Sequence, residues 1–188
     1  MKNKTIIYLF VLLLFASCGK NRKRQHDLDE ISNLKKEFEQ SIVAANYDVN
    51  KANKLVVLYD QFIEEYPKDS LIPEMMIAKA IIQASYLGET KNAVSDLVQI
   101  SEKFPKSPQA PQGLFLAADF YQSKLKDFDN ARKCYQKMIE DYPKDPLTPQ
   151  AKILLQNLGK TPEELLEIIL QKKGLEDISH ESVTPEKK

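Results

Sequence analysis

The chain contains no tryptophan, and only 5 glycines, 2 cysteines and 2 histidines among 188 residues. So few glycines leave no Gly-rich loop of the kind that cradles phosphates. Two cysteines allow at most one internal disulfide. There is no charge of one sign to spare: 27 Lys+Arg balance 27 Asp+Glu. A balanced chain lacks the basic stripe that nucleic-acid binding demands, so no nucleic-acid partner is expected. No apolar run approaches the roughly 20 residues needed to cross a membrane as a helix. What is present is Lys, Glu, Leu, Ala and Gln, with 10 prolines gathered in clusters. That composition predicts helices with proline-marked joints, in a chain whose length suggests one domain.

The charge balance is uneven along the chain. Lys2, Lys4, Lys20, Arg22, Lys23 and Arg24 lie in the first 24 positions without one acid, which leaves the body mildly acidic. The basic start is followed by an apolar run from Ile6 to Ala16, then Ser17 and Cys18. A basic lead, a short apolar stretch and small residues have the layout of a secretory signal. "LFASC" resembles the lipobox of bacterial lipoproteins, with Phe15 departing from the more usual Leu. The resemblance implies lipidation of the Cys18 thiol, cleavage before it and acylation of its new amino group. Three acyl chains anchor firmly, since each buried CH₂ contributes about 0.8 kcal/mol. An ordinary signal peptide with an incidental cysteine is the other reading. Gly19, where an Asp would retain a lipoprotein at the inner membrane, implies the outer membrane. The basic residues after Cys18 suit anionic head groups and favour a periplasm-facing protein.

The body repeats. "EEYPKDS" at 64–70, "EKFPKSP" at 102–108 and "EDYPKDP" at 140–146 recur. Pro67, Pro105 and Pro143 are 38 residues apart, as are Pro73, Pro111 and Pro149, and Tyr59, Leu97 and Tyr135. A fixed period of this size marks a stack of supersecondary units. Within the second unit, Leu114, Ala117, Ala118 and Tyr121 have helical spacing, and so do Phe128, Ala131, Tyr135, Met138 and Tyr142. Each proline after the aromatic stops its helix by forcing the preceding residue from the α region. "YPKD" therefore predicts a joint between helices.

These residues resemble the tetratricopeptide repeat (TPR). Ala118 matches its small position on the first helix (helix A), and Tyr121 the aromatic three residues later. Asp127–Phe128 matches the acid–aromatic turn, Ala131 the alanine opening the second helix (helix B), Tyr135 its aromatic and Pro143 its closing proline. The preceding unit offers Ala80, Gly88, Glu89, Ala93, Leu97 and Pro105. The long joints are similar to those of periplasmic TPR proteins, namely the Tol-Pal-associated cell-division coordinator and the lipoprotein of the barrel-assembly machine. Lys79, Lys152 and Gln156 depart from the pattern by standing in columns that are usually apolar or small.

At the front, Leu28, Ile31, Leu34, Phe38, Ile42 and Ala45 make one stripe, which predicts a helix over 27–46. At the back, Thr161-Pro-Glu-Glu164 predicts an N-cap, Pro at N1 and a capping-box Glu, and Gly174 suits a C′ position. The predicted organisation is a signal peptide over 1–17, a lipidated basic tether over 18–26, an all-α TPR-like solenoid of about three and a half helix pairs over 27–173, and a disordered polar tail over 174–188.

Chemistry is sparse. His26 and His180 have no partner at metal-ligand spacing. Cys134 lacks an adjacent histidine or basic site to make it reactive and reads as a packed thiol. The pairs Glu64–Glu65, Glu140–Asp141 and Glu163–Glu164 fit solvated helix ends. No cofactor, metal or catalytic residue is expected. The resemblance implies a concave face lined by helix A, which points to Glu74, Ile77 and Ile81 in one unit and Gln112, Phe115, Asp119 and Gln122 in the next. Such a groove suits an extended peptide or partner helix. Packing between neighbouring repeats explains Ile77, Ile81 and Phe115 equally well. The whole predicts a non-catalytic, outer-membrane-anchored scaffold for envelope proteins or peptides, in envelope assembly or division. A barrel-assembly subunit and a small-ligand-binding lipoprotein are the alternatives.

Overall fold

A computed structural model of the chain describes residues 2–173, with side chains from residue 21 onward. The predicted C-terminal tail, with His180, lies outside the described residues; among the described residues no strand occurs. The elements are α1 (Lys2–Val43), α2 (Val49–Glu65), α3 (Ile72–Tyr86), α4 (Thr90–Lys103), α5 (Gln109–Phe120), a π-helical turn (Tyr121–Leu125), α6 (Phe128–Asp141), α7 (Thr148–Gln156) and α8 (Pro162–Lys173). From α1 to α7 each helix packs on the next, and α3 also touches α5. This is an all-α stack of helix pairs, a TPR-like solenoid. Helix A is α3 in the first unit, α5 in the second and α7 in the third, with α4 and α6 as helix B, and α1 and α2 form the pair before them.

The columns that reveal the period form the core. Tyr59, Leu97 and Tyr135 are each 3% exposed or less, and so are Leu55, Ala93 and Ala131. Two apolar clusters meet at α3. Met75 and Ile82 join α1 and α2 on one side, while Ile72, Met76, Ile77 and Ala80 join the later helices on the other. α4 and α5 approach closely at Gly113. A Cβ added to Gly113 would lie 2.8 Å from the Leu97 carbonyl oxygen, so only glycine fits there without a shift.

The three joints share one geometry. Tyr66, Phe104 and Tyr142 precede the prolines at φ −123°, −131° and −127°, with ψ between 53° and 56°. Each N–H still closes its helix, onto Phe62, Ile100 and Met138. The chain then turns as Asp69, Ser107 and Asp145 donate backbone N–H bonds to those same aromatics. The side chains of these three residues accept from Leu71, Gln109 and Leu147 to start the next helix.

The front helix differs from the sequence expectation at both of its ends, while the cap at the back forms as expected. The front helix stops at Val43, and Ala45 stands outside it as an exposed C′ residue at φ +54°. Asn46 N–H to Ser41 and Ala45 N–H to Ile42 complete a Schellman motif there. Ala45 thus leaves the apolar stripe because the chain must reverse before Asp48, whose side chain caps α2. In the other direction the helix does not begin near 27. It runs back through the basic segment expected to act as a tether. At α8 the capping box forms in both directions: Glu164 N–H to Thr161 Oγ1 at 3.2 Å, and Thr161 N–H to Glu164 Oε2 at 2.7 Å.

Candidate functional site

Helix A carries the candidate partner face, and burial divides its members. On α3, Glu74 is exposed, Ile77 is 6% exposed within the core, and Ile81 is 38% exposed. Ile77 therefore packs between repeats and offers nothing to a partner. On α5, Gln112 is exposed, while Phe115 and Asp119 are half-buried. The Phe115 ring meets Tyr135 edge-to-face, centroids 6.0 Å apart, so part of its surface packs and part remains open. Tyr135 is fully buried, and burial pushes its hydroxyl up to about 12; the oxygen has no hydrogen-bond partner among the described residues.

Gln122 lies on the π-helical turn that ends the second helix A. Its half-buried side chain keeps Oε1 without a partner among the described residues. The wider turn lets Asp127 N–H reach back to the Tyr121 carbonyl at 2.9 Å, and Lys126 takes up a left-handed φ of +55°. Such single π turns recur at functional sites. In the first unit Gly88 occupies the matching position at φ +72°, and Glu89 N–H reaches Gln83 in the same way. Half-buried Phe115, Asp119 and Gln122 follow one another at helical spacing along α5 and the turn after it, a mixed aromatic–polar strip in which the unpaired Gln122 oxygen is itself buried.

A charged cluster stands where sequence reasoning saw only a departure. Lys79 is 8% exposed on α3 and bridges α2 and α4 through Asp60 at 2.5 Å and Asp96 at 2.9 Å. Burial works against its charge, but the hydrogen bonds to Asp60 and Asp96 outweigh that cost and raise its pKa. A lysine in an apolar column was the only signal. Its partners could not be read, because they come from two other helices. One unit later these three positions hold Val98, Ala117 and Cys134. Burial pushes the Cys134 thiol up to about 11, which makes it a packing group with little thiolate at neutral pH.

The basic segment is engaged with the first joint. Arg24 grips Asp69 through Nε on Oδ2 and through its terminal nitrogen on Oδ1, the latter at 3.0 Å. Lys23 pairs with Glu65 at 3.0 Å, and the Tyr66 hydroxyl donates to Asp27 at 2.7 Å. The Arg24 hydrogen bond holds Asp69 below the usual carboxylate range. Lys23 and Arg24 thus serve protein carboxylates, which leaves Arg22 exposed. Cys18 lies on α1, and its side chain is outside the described residues. His26 is exposed on α1, 3.6 Å from Asp27. Among the described residues no group of three or more His, Cys, Asp or Glu is placed to hold a metal, and no helix is long and apolar enough to cross a membrane.

The tetratricopeptide repeat family matches residues 112–145. That span takes in most of α5, the π turn, α6 and the third joint, so it coincides with the second unit and its strip. A TPR repeat is present there. No curated protein and no solved structure matches the chain. TPR repeats generally bind other proteins or peptides and are non-catalytic. An interaction scaffold is the function this architecture suggests.

Proposed function

We propose that the protein is a lipid-anchored, periplasm-facing scaffold of the outer membrane. Its helix A strip, centred on Phe115, Asp119 and Gln122 with Ile81, Gln112 and Glu74 beside it, docks envelope proteins or peptides. The observation that carries the scaffold reading is the TPR repeat at 112–145, because this span holds the half-buried Phe115, Asp119 and Gln122 together. "LFASC" supports the anchor, through lipidation at Cys18. Anchoring confines the scaffold to a thin layer, so a modest groove affinity suffices through effective concentration.

The anchor is tested by Cys18→Ala. Loss of lipid mass and release from the membrane fraction are expected, and unchanged fractionation with no lipid on the wild-type chain overturns it. Crosslinked envelopes test the process served. Tol-Pal components in the eluate favour division, and barrel-assembly subunits favour assembly. A small molecule retained in native mass spectrometry favours a ligand carrier instead.

A further inference from the structure

α1 and α2 run antiparallel, pinned by Lys51–Glu37 at 2.8 Å, Lys54–Glu30 at 3.0 Å and Lys23–Glu65 at 3.0 Å. The N-terminal part of α1 therefore leaves the stack beside the end of α2, where the first joint begins. Arg24 on Asp69, and the Tyr66 hydroxyl on Asp27, fix it to that joint. Cys18 precedes Arg24 by six residues. That is about 9 Å of helix, and about 20 Å even if the segment were drawn out. The joints follow one another along a single edge of the solenoid. Pro67 shares a cleft with Lys103 and Phe104, and the Tyr142 hydroxyl donates to the Pro105 carbonyl at 3.1 Å. The turns at Ala45, Gly88 and Lys126 lie at the other edge. One helix length, about 20 Å for α3 or α4, separates the two edges.

With the lipid anchor at Cys18 as premise, we propose that the joint edge of the solenoid lies on the membrane against anionic phospholipid head groups, with the A–B turns pointing away. The covalent path selects the edge. An anchor six residues from a clasped joint holds that joint at the bilayer, and the other two joints share its edge. The exposed side chains suit the surface. Lys68, Lys106 and Lys144 recur in one column after the joint prolines. All three are exposed, and none forms an ion pair among the described residues. Arg22, exposed between Cys18 and the clasp, extends the row. Acids also stand at this edge, but several are occupied. Glu65, Asp69 and Asp141 pair with Lys23, Arg24 and Lys137, and Asp145 accepts from the Leu147 N–H. Glu64, Glu102 and Glu140 are set back on the last turns of α2, α4 and α6. Lysines serve here as point charges, attracted by the negative surface potential within a Debye length of the lipid. On α5 this orientation places Gln112 toward the membrane and Gln122 away from it.

The test uses the full lipidated chain in vesicles of phosphatidylethanolamine and phosphatidylglycerol that contain a lipid with a nitroxide on its head group. A bimane fluorophore is attached through Ser70→Cys at the first joint, Gln150→Cys beside the third, or Lys91→Cys by a far turn, all exposed positions, each in a Cys134→Ala background. Quenching is expected at Ser70→Cys and Gln150→Cys and absent at Lys91→Cys. Adding Lys106→Gln and Lys144→Gln, or replacing phosphatidylglycerol by phosphatidylcholine, should abolish quenching at Gln150→Cys. Quenching at Ser70→Cys should persist, because the anchor holds it. For a lipidated chain that floats with the vesicles, equal quenching at all three sites, none at Ser70→Cys, or quenching at Gln150→Cys that ignores both changes overturns the proposal alone. A chain whose mass shows no lipid and which stays in solution overturns the anchor premise and the proposal with it.

Discussion

The groove over α3 and the groove over α5 occupy equivalent places in successive units and are built from opposite chemistry. The first is closed by Asp60, Lys79 and Asp96, and the second by Val98, Ala117 and Cys134. Both leave their residues largely buried or half-buried. The repeat thus dictates helix placement, and the filling between helices varies freely so long as each buried charge is matched. An ionic filling is the less forgiving one. A buried ion pair replaced whole by apolar groups is often neutral, whereas removing one partner leaves the other charges uncompensated.

The largest expected effect breaks the first groove alone. Lys79→Met leaves Asp96 and the half-exposed Asp60 without their cation and should cost about 2 kcal/mol in denaturant unfolding, below the figure for a fully buried pair because solvent screens Asp60. Adding Asp60→Val and Asp96→Leu to it, which gives the first groove the apolar character of the second, should restore stability to within about 1 kcal/mol of wild type. If the single variant is as stable as the triple, the ionic groove is not a coupled unit. Next comes Gly113→Ala in the second unit. The new methyl meets the Leu97 carbonyl, and overpacking against backbone should outweigh the gain in helix propensity by about 1–2 kcal/mol. The matching position in the first unit is Met75, so the glycine contact is not a feature of the repeat.

A smaller effect of opposite sign comes from the A–B turns. Lys126 holds a left-handed conformation that Gly88 holds in the unit before. Lys126→Gly should raise stability by about 0.5–1 kcal/mol, read as a higher denaturant midpoint. The smallest effect compares the joints. Arg24 lowers the Asp69 pKa, so its stabilisation is present above the ordinary aspartate value of 3.8 and is lost as pH falls through the lowered one. Protection of the amides in residues 21–30, corrected for the intrinsic pH dependence of exchange, should therefore fall at acid pH, and Arg24→Gln should show that lowered protection already at neutral pH. Lys79 runs the other way. Its raised pKa keeps the triad intact below the ordinary lysine value of 10.5, and the contribution fades only as pH rises past it.

Much of this architecture was legible because it is written three times. The columns Tyr59/Leu97/Tyr135 and Pro67/Pro105/Pro143 announce both the period and the joints, and Thr161–Glu164 announces its own cap. What the sequence hid is what does not repeat. Arg24 finds Asp69 at a separation of 45 residues, and Lys79 finds Asp60 from 19 away, with no spacing rule linking them. Ala45 looked like one more apolar position, and only the chain reversal places it beyond the helix. The candidate face was half legible. Helix spacing places Ile77 and Ile81 together on α3, but the packing of α3 against neighbours on both sides buries the first and exposes the second. The π turn under Gln122 leaves no mark in composition. The YPKD joints were legible as punctuation, and their second role as a carboxylate clasp appears only where Arg24 is seen in place.

We propose that the chain works by presenting the helix A strip of its second unit to another protein. The most direct test of this is site-specific photocrosslinking from the anchored full-length chain, with the probe at Phe115, at Asp119 and, as the comparison, at exposed Arg132 on α6. A discrete protein adduct is expected from Phe115 and Asp119 and none from Arg132, with circular dichroism unchanged in all three. Adducts of equal strength from Arg132, or none from the α5 positions in a folded chain, would contradict it.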